Sequence, residues 1–121
     1  MKSAKQLVDL IRDGKVTCRE LVHQSFARID ETDAEIKAWA FLDRDGALAR
    51  ADEMDAVRVS GRPLGQLHGI PIGLKDIVDT KTMPTECGTV LMSGRQPKSD
   101  AALVERLLNA GAVIIGKTVT T

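Results

Sequence analysis

Apolar residues recur at helical spacing through the first third of the chain. Leu7, Val8, Leu10 and Ile11 form one face, and Leu21, Val22, Phe26 and Ile29 form another. Each run is preceded by a start signal. Ser3 with Gln6, and Thr17 with Glu20, have the spacing of a capping box, in which two side chains satisfy orphan backbone donors reciprocally. Gly14 is placed to end the first helix, and the second is expected to run to about Asp30. With so short a connection the pair reads as an antiparallel helical hairpin. Ala38 to Leu42 is short and apolar and predicts a strand. Asp43-Arg44-Asp45-Gly46 punctuates it. Ala47 to Val57 is rich in helix formers and predicts a third helix.

The period then changes. Ser60 to Gly65 carries turn residues and predicts a loop. From Leu67 to Asp76, Ile70, Ile72 and Leu74 alternate with Pro71, Gly73 and Lys75, so a strand would put the bulky residues on one face. The other face carries almost no side chain before Lys75. A glycine inside a strand marks close approach by another group, and Pro71 implies an edge strand, a strand start or a bulge. Thr80 to Gln96 has no clean period and predicts an irregular loop holding a short helical turn. Ser99 or Asp100 can cap a further helix whose apolar residues are Leu103, Val104, Leu107 and Leu108, with Gly111 as its stop. Val113-Ile114-Ile115 has the signature of a buried strand. Strand, helix, strand in that order predicts an α/β fold with a parallel crossover. The chain divides into a helical region, 1–58, and a sheet-forming region, 59–121, within one incomplete domain.

Composition narrows the function. Seventeen basic residues balance seventeen acidic ones, and aromatic residues make up 2% of the chain. Neither the charge nor the base-stacking rings expected of a nucleic-acid binder are present. Cys18 and Cys87 are far apart and lack the histidine spacing of a zinc site, so no metal or cofactor is expected. The N-terminus has no apolar core of a signal peptide, and no apolar run is long enough to span a bilayer. A cytoplasmic protein is expected.

One motif misleads. Gly111-Ala-Val-Ile-Ile-Gly116-Lys117-Thr118 satisfies the phosphate-loop pattern G-x-x-x-x-G-K-[ST]. A phosphate loop follows a strand and opens a helix. Here a helix comes first and the match is itself strand-like. Its middle residues are apolar and mostly β-branched, which avoid the conformations that cradle phosphate. A buried strand leaving a helix cap is the better reading.

Lys75 lies at the end of the Gly- and Pro-containing strand, beside Asp76. On pattern alone it is a solvated lysine paired with a nearby acid, or a desolvated lysine whose lowered pKa suits a general base. Residues 65 to 80, Gly-Gln-Leu-His-Gly-Ile-Pro-Ile-Gly-Leu-Lys-Asp-Ile-Val-Asp-Thr, resemble the lysine-bearing motif of the amidase-signature family. Met83-Pro84-Thr85, Gly88 and the stretch from Asp100 to Thr118 continue the resemblance, and the N-terminal helices follow more loosely. The resemblance implies the first part of that fold, with helices packed on a mixed sheet, and hydrolysis of a C–N amide bond in a small molecule. It assigns Lys75 as a catalytic residue. In the family a neutral lysine takes a proton through a bridging serine held in a cis peptide, and a second serine attacks the amide carbonyl. Backbone N–H groups of a Gly/Ser-rich loop stabilise the oxyanion.

Those serines lie downstream in the family. Ser3, Ser25, Ser60, Ser93 and Ser99 lie in no Gly/Ser-rich run, so the 121-residue chain by itself is expected to be inactive. Two alternatives stand beside the amidase: the A subunit of a tRNA-dependent amidotransferase, which releases ammonia from glutamine, and a non-catalytic truncated or interaction fragment. An isolated fragment is expected to leave an open sheet edge and an uncovered apolar face, and so to self-associate. A Cys87–His68 nucleophile pair lacks an orienting third group; a loop histidine and a small buried or half-buried cysteine are simpler. His23 falls on the polar side of the second helix, and Trp39 reads as a packing residue. Asp43, Asp45, Asp52, Glu53 and Asp55 read as a solvated helix face.

Overall fold

The computed structural model describes residues 1–120. Four helices and three strands follow in the order α1 (Ala4–Arg12), α2 (Cys18–Ile36), β1 (Trp39–Leu42), α3 (Arg44–Val59), β2 (Pro71–Lys75), α4 (Ala102–Asn109) and β3 (Val113–Thr118), with a short 3-10 turn at Val90–Met92. Both capping boxes form. Gln6 N donates to Ser3 Oγ at 3.1 Å while Ser3 N donates to Gln6 Oε1 at 2.8 Å. Thr17 and Glu20 repeat the exchange at 3.0 and 2.7 Å. Gly14 ends α1 at φ 73°, with Lys15 N on Leu10 O at 2.9 Å and Gly14 N on Ile11 O at 3.0 Å, a Schellman closure. Gly111 ends α4 in the same way at φ 92°.

Four expectations are corrected. α2 runs on to Ile36, because Glu31 to Glu35 contains no breaker; it stops where Lys37 turns left-handed at φ 56° and Ala38 N finds Asp33 Oδ1 at 2.7 Å. Its main helical neighbour is α3 rather than α1. The Asp43–Gly46 punctuation is the start of α3: Asp43 caps it by accepting from Gly46 N at 3.1 Å. α4 is capped by neither Ser99 nor Asp100. Ala101 is its N-cap, without a side-chain bond, and the Asp100 carboxylate accepts from Lys81 N at 2.8 Å instead.

The sheet order is β1-β3-β2, with β1 antiparallel and β2 parallel to the central β3. It is therefore mixed, and α4 is the crossover. The sheet divides the core. On one side Ile11, Val22, Phe26, Ala47 and Ala51 of the first three helices pack on Val113 and Ile115. On the other, Leu74, Met83, Val104 of α4 and Ile114 form a second cluster. Pro71 meets two of its expectations at once, as the first residue of β2 and on an outer strand. A bulge lies next to it in the ladder. Ile72 pairs with Ile114 and Gly73 with Gly116, which leaves Ile115 unmatched.

The acidic group on and before α3 is more than a solvated face. Asp55 accepts from Cys18 N at 2.7 Å and Arg19 N at 3.2 Å, closing the start of α2 from another helix. Asp52 pairs with Arg19 at 2.7 Å.

Candidate active site

β2 and β3 run side by side and end together, with Lys75 opposite Thr118. Ligands of α/β sheets bind beyond the carboxyl ends of parallel strands, where the chain turns into loops. Lys75 stands at that end. Its side chain is exposed, and it has no ion pair or hydrogen bond among the described residues. The expected pairing with Asp76 is absent because Asp76 turns inward and is buried. Its N–H holds Thr118 O at 2.9 Å, and its carboxylate oxygens both receive Glu86 N at 3.3 Å.

The desolvated lysine of this region is Lys117, which sequence reasoning assigned no role beyond the phosphate-loop pattern. It is 0% exposed. Its Nζ donates to Pro84 O at 3.0 Å and Thr85 Oγ1 at 2.7 Å and lies 3.9 Å from Asp76 Oδ1. Burial pulls its pKa below the ordinary lysine value, against the opposing charges of Asp76 and Asp79. The phosphate-loop reading fails on the same facts: Val113–Thr118 is a strand, and the lysine's donors are turned onto protein acceptors. A lysine directly after a run of buried strand residues was the visible signal.

Residues 76 to 101 form a long loop, and polar side chains order it. Arg95 clamps Asp79 bidentately at 2.7 and 2.9 Å; the hydrogen-bonded guanidinium holds the Asp79 carboxyl below its usual range. Gln96 Nε2 donates to Thr80 O at 3.2 Å and to Met83 O at 3.1 Å. Cys87 and Gly88 both adopt positive φ, 55° and 69°, in a tight turn closed by Thr89 N on Glu86 O at 3.2 Å. Loops of this length without regular structure are uncommon in compact domains and are often functional.

The remaining candidates are structural. His68 is 1% exposed, and its Nε2 donates to Met54 O at 2.8 Å. Burial lowers its pKa. Cys87 lies elsewhere, its N–H on Asp76 O at 2.9 Å, so no Cys87–His68 pair forms. His23 is exposed on α2. Trp39 packs against the first core, and its ring covers Gly73: a Cβ there would fall 2.5 Å from the indole. That close approach is why the strand carries glycine. Ser3 caps α1, Ser25 Oγ bonds back to Leu21 O at 3.0 Å and Ser60 Oγ to Val57 O at 2.7 Å.

A model of the family described as Amidase matches residues 20–121. The chain belongs to the amidase-signature family. It is 38% identical over 116 residues to the A subunit of the glutamyl-tRNA(Gln) amidotransferase of Salinispora arenicola, covering 96% of this chain and 24% of that protein. It is 41% identical over 116 residues to a putative amidase of Mycobacterium bovis, with the same coverage of 96% and 24%. The crystal structure of the native peptide amidase from Stenotrophomonas maltophilia superposes with a TM-score of 0.91 at 37% identity, covering 97% of this chain and 24% of that one. This amidase segment thus spans about a quarter of the length of the curated relatives it matches. No described helix is long and apolar enough to cross a membrane.

Proposed function

We propose that this segment supplies the lysine of a hydrolase that cleaves a C–N amide bond in a small molecule. The observation that carries the reading is the place of Lys75: exposed and, among the described residues, unpaired at the carboxyl end of a parallel strand pair, on the motif that resembles the family's lysine motif. An unpaired ammonium is free to be desolvated by whatever covers it. In its neutral form it could accept a proton from a bridging serine. The nucleophilic and bridging serines, and the oxyanion loop, are assigned to the part of the protein beyond this segment. The site requires no metal in this mechanism.

The reaction is acyl transfer. The serine oxygen attacks the carbonyl, its proton passes through the second serine to Lys75, and the amine leaves with that proton. Water then cleaves the acyl ester. Similarity to the A subunit of a glutamyl-tRNA(Gln) amidotransferase favours a second reading, in which the amide is that of glutamine and ammonia is the product passed on. Both readings use Lys75 identically and differ in substrate alone. Release of ammonia from glutamine, set against release of nitroaniline from an acyl p-nitroanilide, separates them in the whole gene product. Loss of either activity in Lys75→Met, with folding unchanged, is the expected result; full activity in that variant would contradict the assignment.

A further inference from the structure

Among the described residues, Lys117 is the one fully buried charge placed against the loop behind Lys75. A buried ammonium is costly unless it is well paired, and an apolar residue of the same volume is often neutral or stabilising in its place. The fold goes to some length to bury it. Along a regular β3, Val113, Ile115 and Lys117 would share the face of the α1–α3 core. The bulge at Ile115 breaks the alternation. Gly116 then pairs with Gly73, Lys117 with Leu74, and Thr118 with Lys75. Partners in a parallel ladder share a face, so Lys117 is swung to the Leu74 side, where residues 84 to 86 lie, and Lys75 leaves on the opposite side.

The Lys117 ammonium is held by residues 84 and 85 and lies near the Asp76 carboxylate. Pro84 O and Thr85 Oγ1 accept from it at 3.0 and 2.7 Å, and Asp76 Oδ1 lies 3.9 Å away. The segment it holds is fastened in turn to Asp76, through Cys87 N on Asp76 O at 2.9 Å and Glu86 N on the carboxylate at 3.3 Å. Asp76 N closes the circuit on Thr118 O at 2.9 Å. Asp79, Arg95 and the Cys87 thiol are the other charged or titratable groups within its field. No hydrogen bond or ion pair of this circuit reaches the Lys75 side chain. What it fixes is the backbone from which that side chain departs.

We propose that Lys117 is a positioning residue for Lys75: through Pro84, Thr85 and Asp76 it seats the 84–87 segment beneath the end of β2 and so sets the direction in which Lys75 leaves the sheet. The proposal rests on the reading of Lys75 as the working lysine, but its test reads geometry and not turnover.

Lys117→Met keeps the side-chain volume and removes the ammonium. In this chain it should speed thiol labelling of Cys87, which reports on the seating of the loop, by about tenfold or more. It should also speed amide exchange at Glu86 and Cys87, while Val113, Ile114 and Ile115 of the same strand keep their protection. Reductive methylation with 13C makes exposed lysines visible by NMR. The dimethyl signal of Lys75 should shift in the variant, and those of Lys5 on α1 and Lys15 just after it, both exposed on the helical part of the molecule, should not. Thr85→Val removes one of the two acceptors of Lys117, together with the hydroxyl's bond to Val78 O at 3.4 Å, and should give the same pattern more weakly if Lys117→Met folds poorly. Unchanged Cys87 labelling and an unmoved Lys75 signal in both variants would overturn the proposal. So would equal loss of protection throughout β3, which would make Lys117 a general stability residue. If Lys75 proves dispensable for turnover while Lys117→Met still shifts its signal, the hydrolase reading fails and the positioning role stands.

Discussion

The Cys18 thiol makes alkaline pH a sharp test of the packing between α2, α3 and the turn at Gly69. Cys18 is 0% exposed. Its sulfur faces Gly69, where an added Cβ would fall 2.2 Å from Sγ. Burial, reinforced by the hydrogen bond and charge of Asp55, pushes the thiol from its ordinary 9.0 up to about 12. The folded thiol therefore keeps its proton at pH values where the unfolded chain has lost it. Below pH 9.0 the buried thiol contributes its full stability; between 9.0 and about 12 that contribution is lost as pH rises. The slope is about 1.4 kcal/mol per pH unit once well above the unfolded value. Cys18→Ala removes the titration and leaves a small void, costing about 1–2 kcal/mol near neutrality. The two lines must then cross. Cys18→Ala should be the less stable protein at pH 7 and the more stable one above a crossing between about pH 9.7 and 10.5. Lys117 acts in the opposite sense: its lowered folded-state value makes stability rise with pH up to the unfolded lysine value. Parent and variant share that effect, so it cancels in their difference. Urea unfolding at a series of pH values measures that difference directly. A difference that stays constant from pH 7 to 11 would refute the reasoning.

Further expectations concern the same neighbourhoods. Ellman's reagent should label Cys87 in the folded chain and Cys18 only after unfolding, because Cys87 is partly exposed and Cys18 is buried; rapid native labelling of both would contradict the burial of α2. Gly69→Ala meets a positive φ of 75° and the Cys18 sulfur at 2.2 Å, and should lose about 2–4 kcal/mol in denaturant unfolding. A loss below about 0.5 kcal/mol would mean that the turn can relax away from α2.

Features written locally were legible in the sequence. Ser3, Gln6, Thr17 and Glu20 name their own partners three residues away, and Gly14 and Gly111 carry left-handed caps that other residues resist. The parallel β2–α4–β3 unit followed from alternation and one helical period. The errors arose where a signal has two meanings or none. Asp43-Arg44-Asp45-Gly46 has the composition of a turn and also of a capped first helical turn, and only packing against α2 and β3 decides. The end of α2 carries no breaker. Asp100 is a plausible cap whose carboxylate is claimed by Lys81, nineteen residues back. Within the candidate site, the place of Lys75 at the end of β2 was legible from the alternation that precedes it. The apolar run before Lys117 signals burial but not its side of the sheet, because the bulge at Ile115 depends on how the strands pair, and one strand's sequence does not show it. The same non-local logic hid Asp55, which serves a helix start 37 residues away.

The most direct test of the account is turnover by the whole gene product with and without the Lys75 ammonium. Parent and Lys75→Met are compared on glutamine and on an acyl p-nitroanilide, with thermal unfolding measured in parallel. The account predicts a fall in kcat of about a hundred- to ten-thousand-fold, the range for losing a general base, at an unchanged Tm because the side chain is exposed and unpaired in this segment. Turnover retained by Lys75→Met, in a protein that otherwise folds and hydrolyses amides, would contradict it.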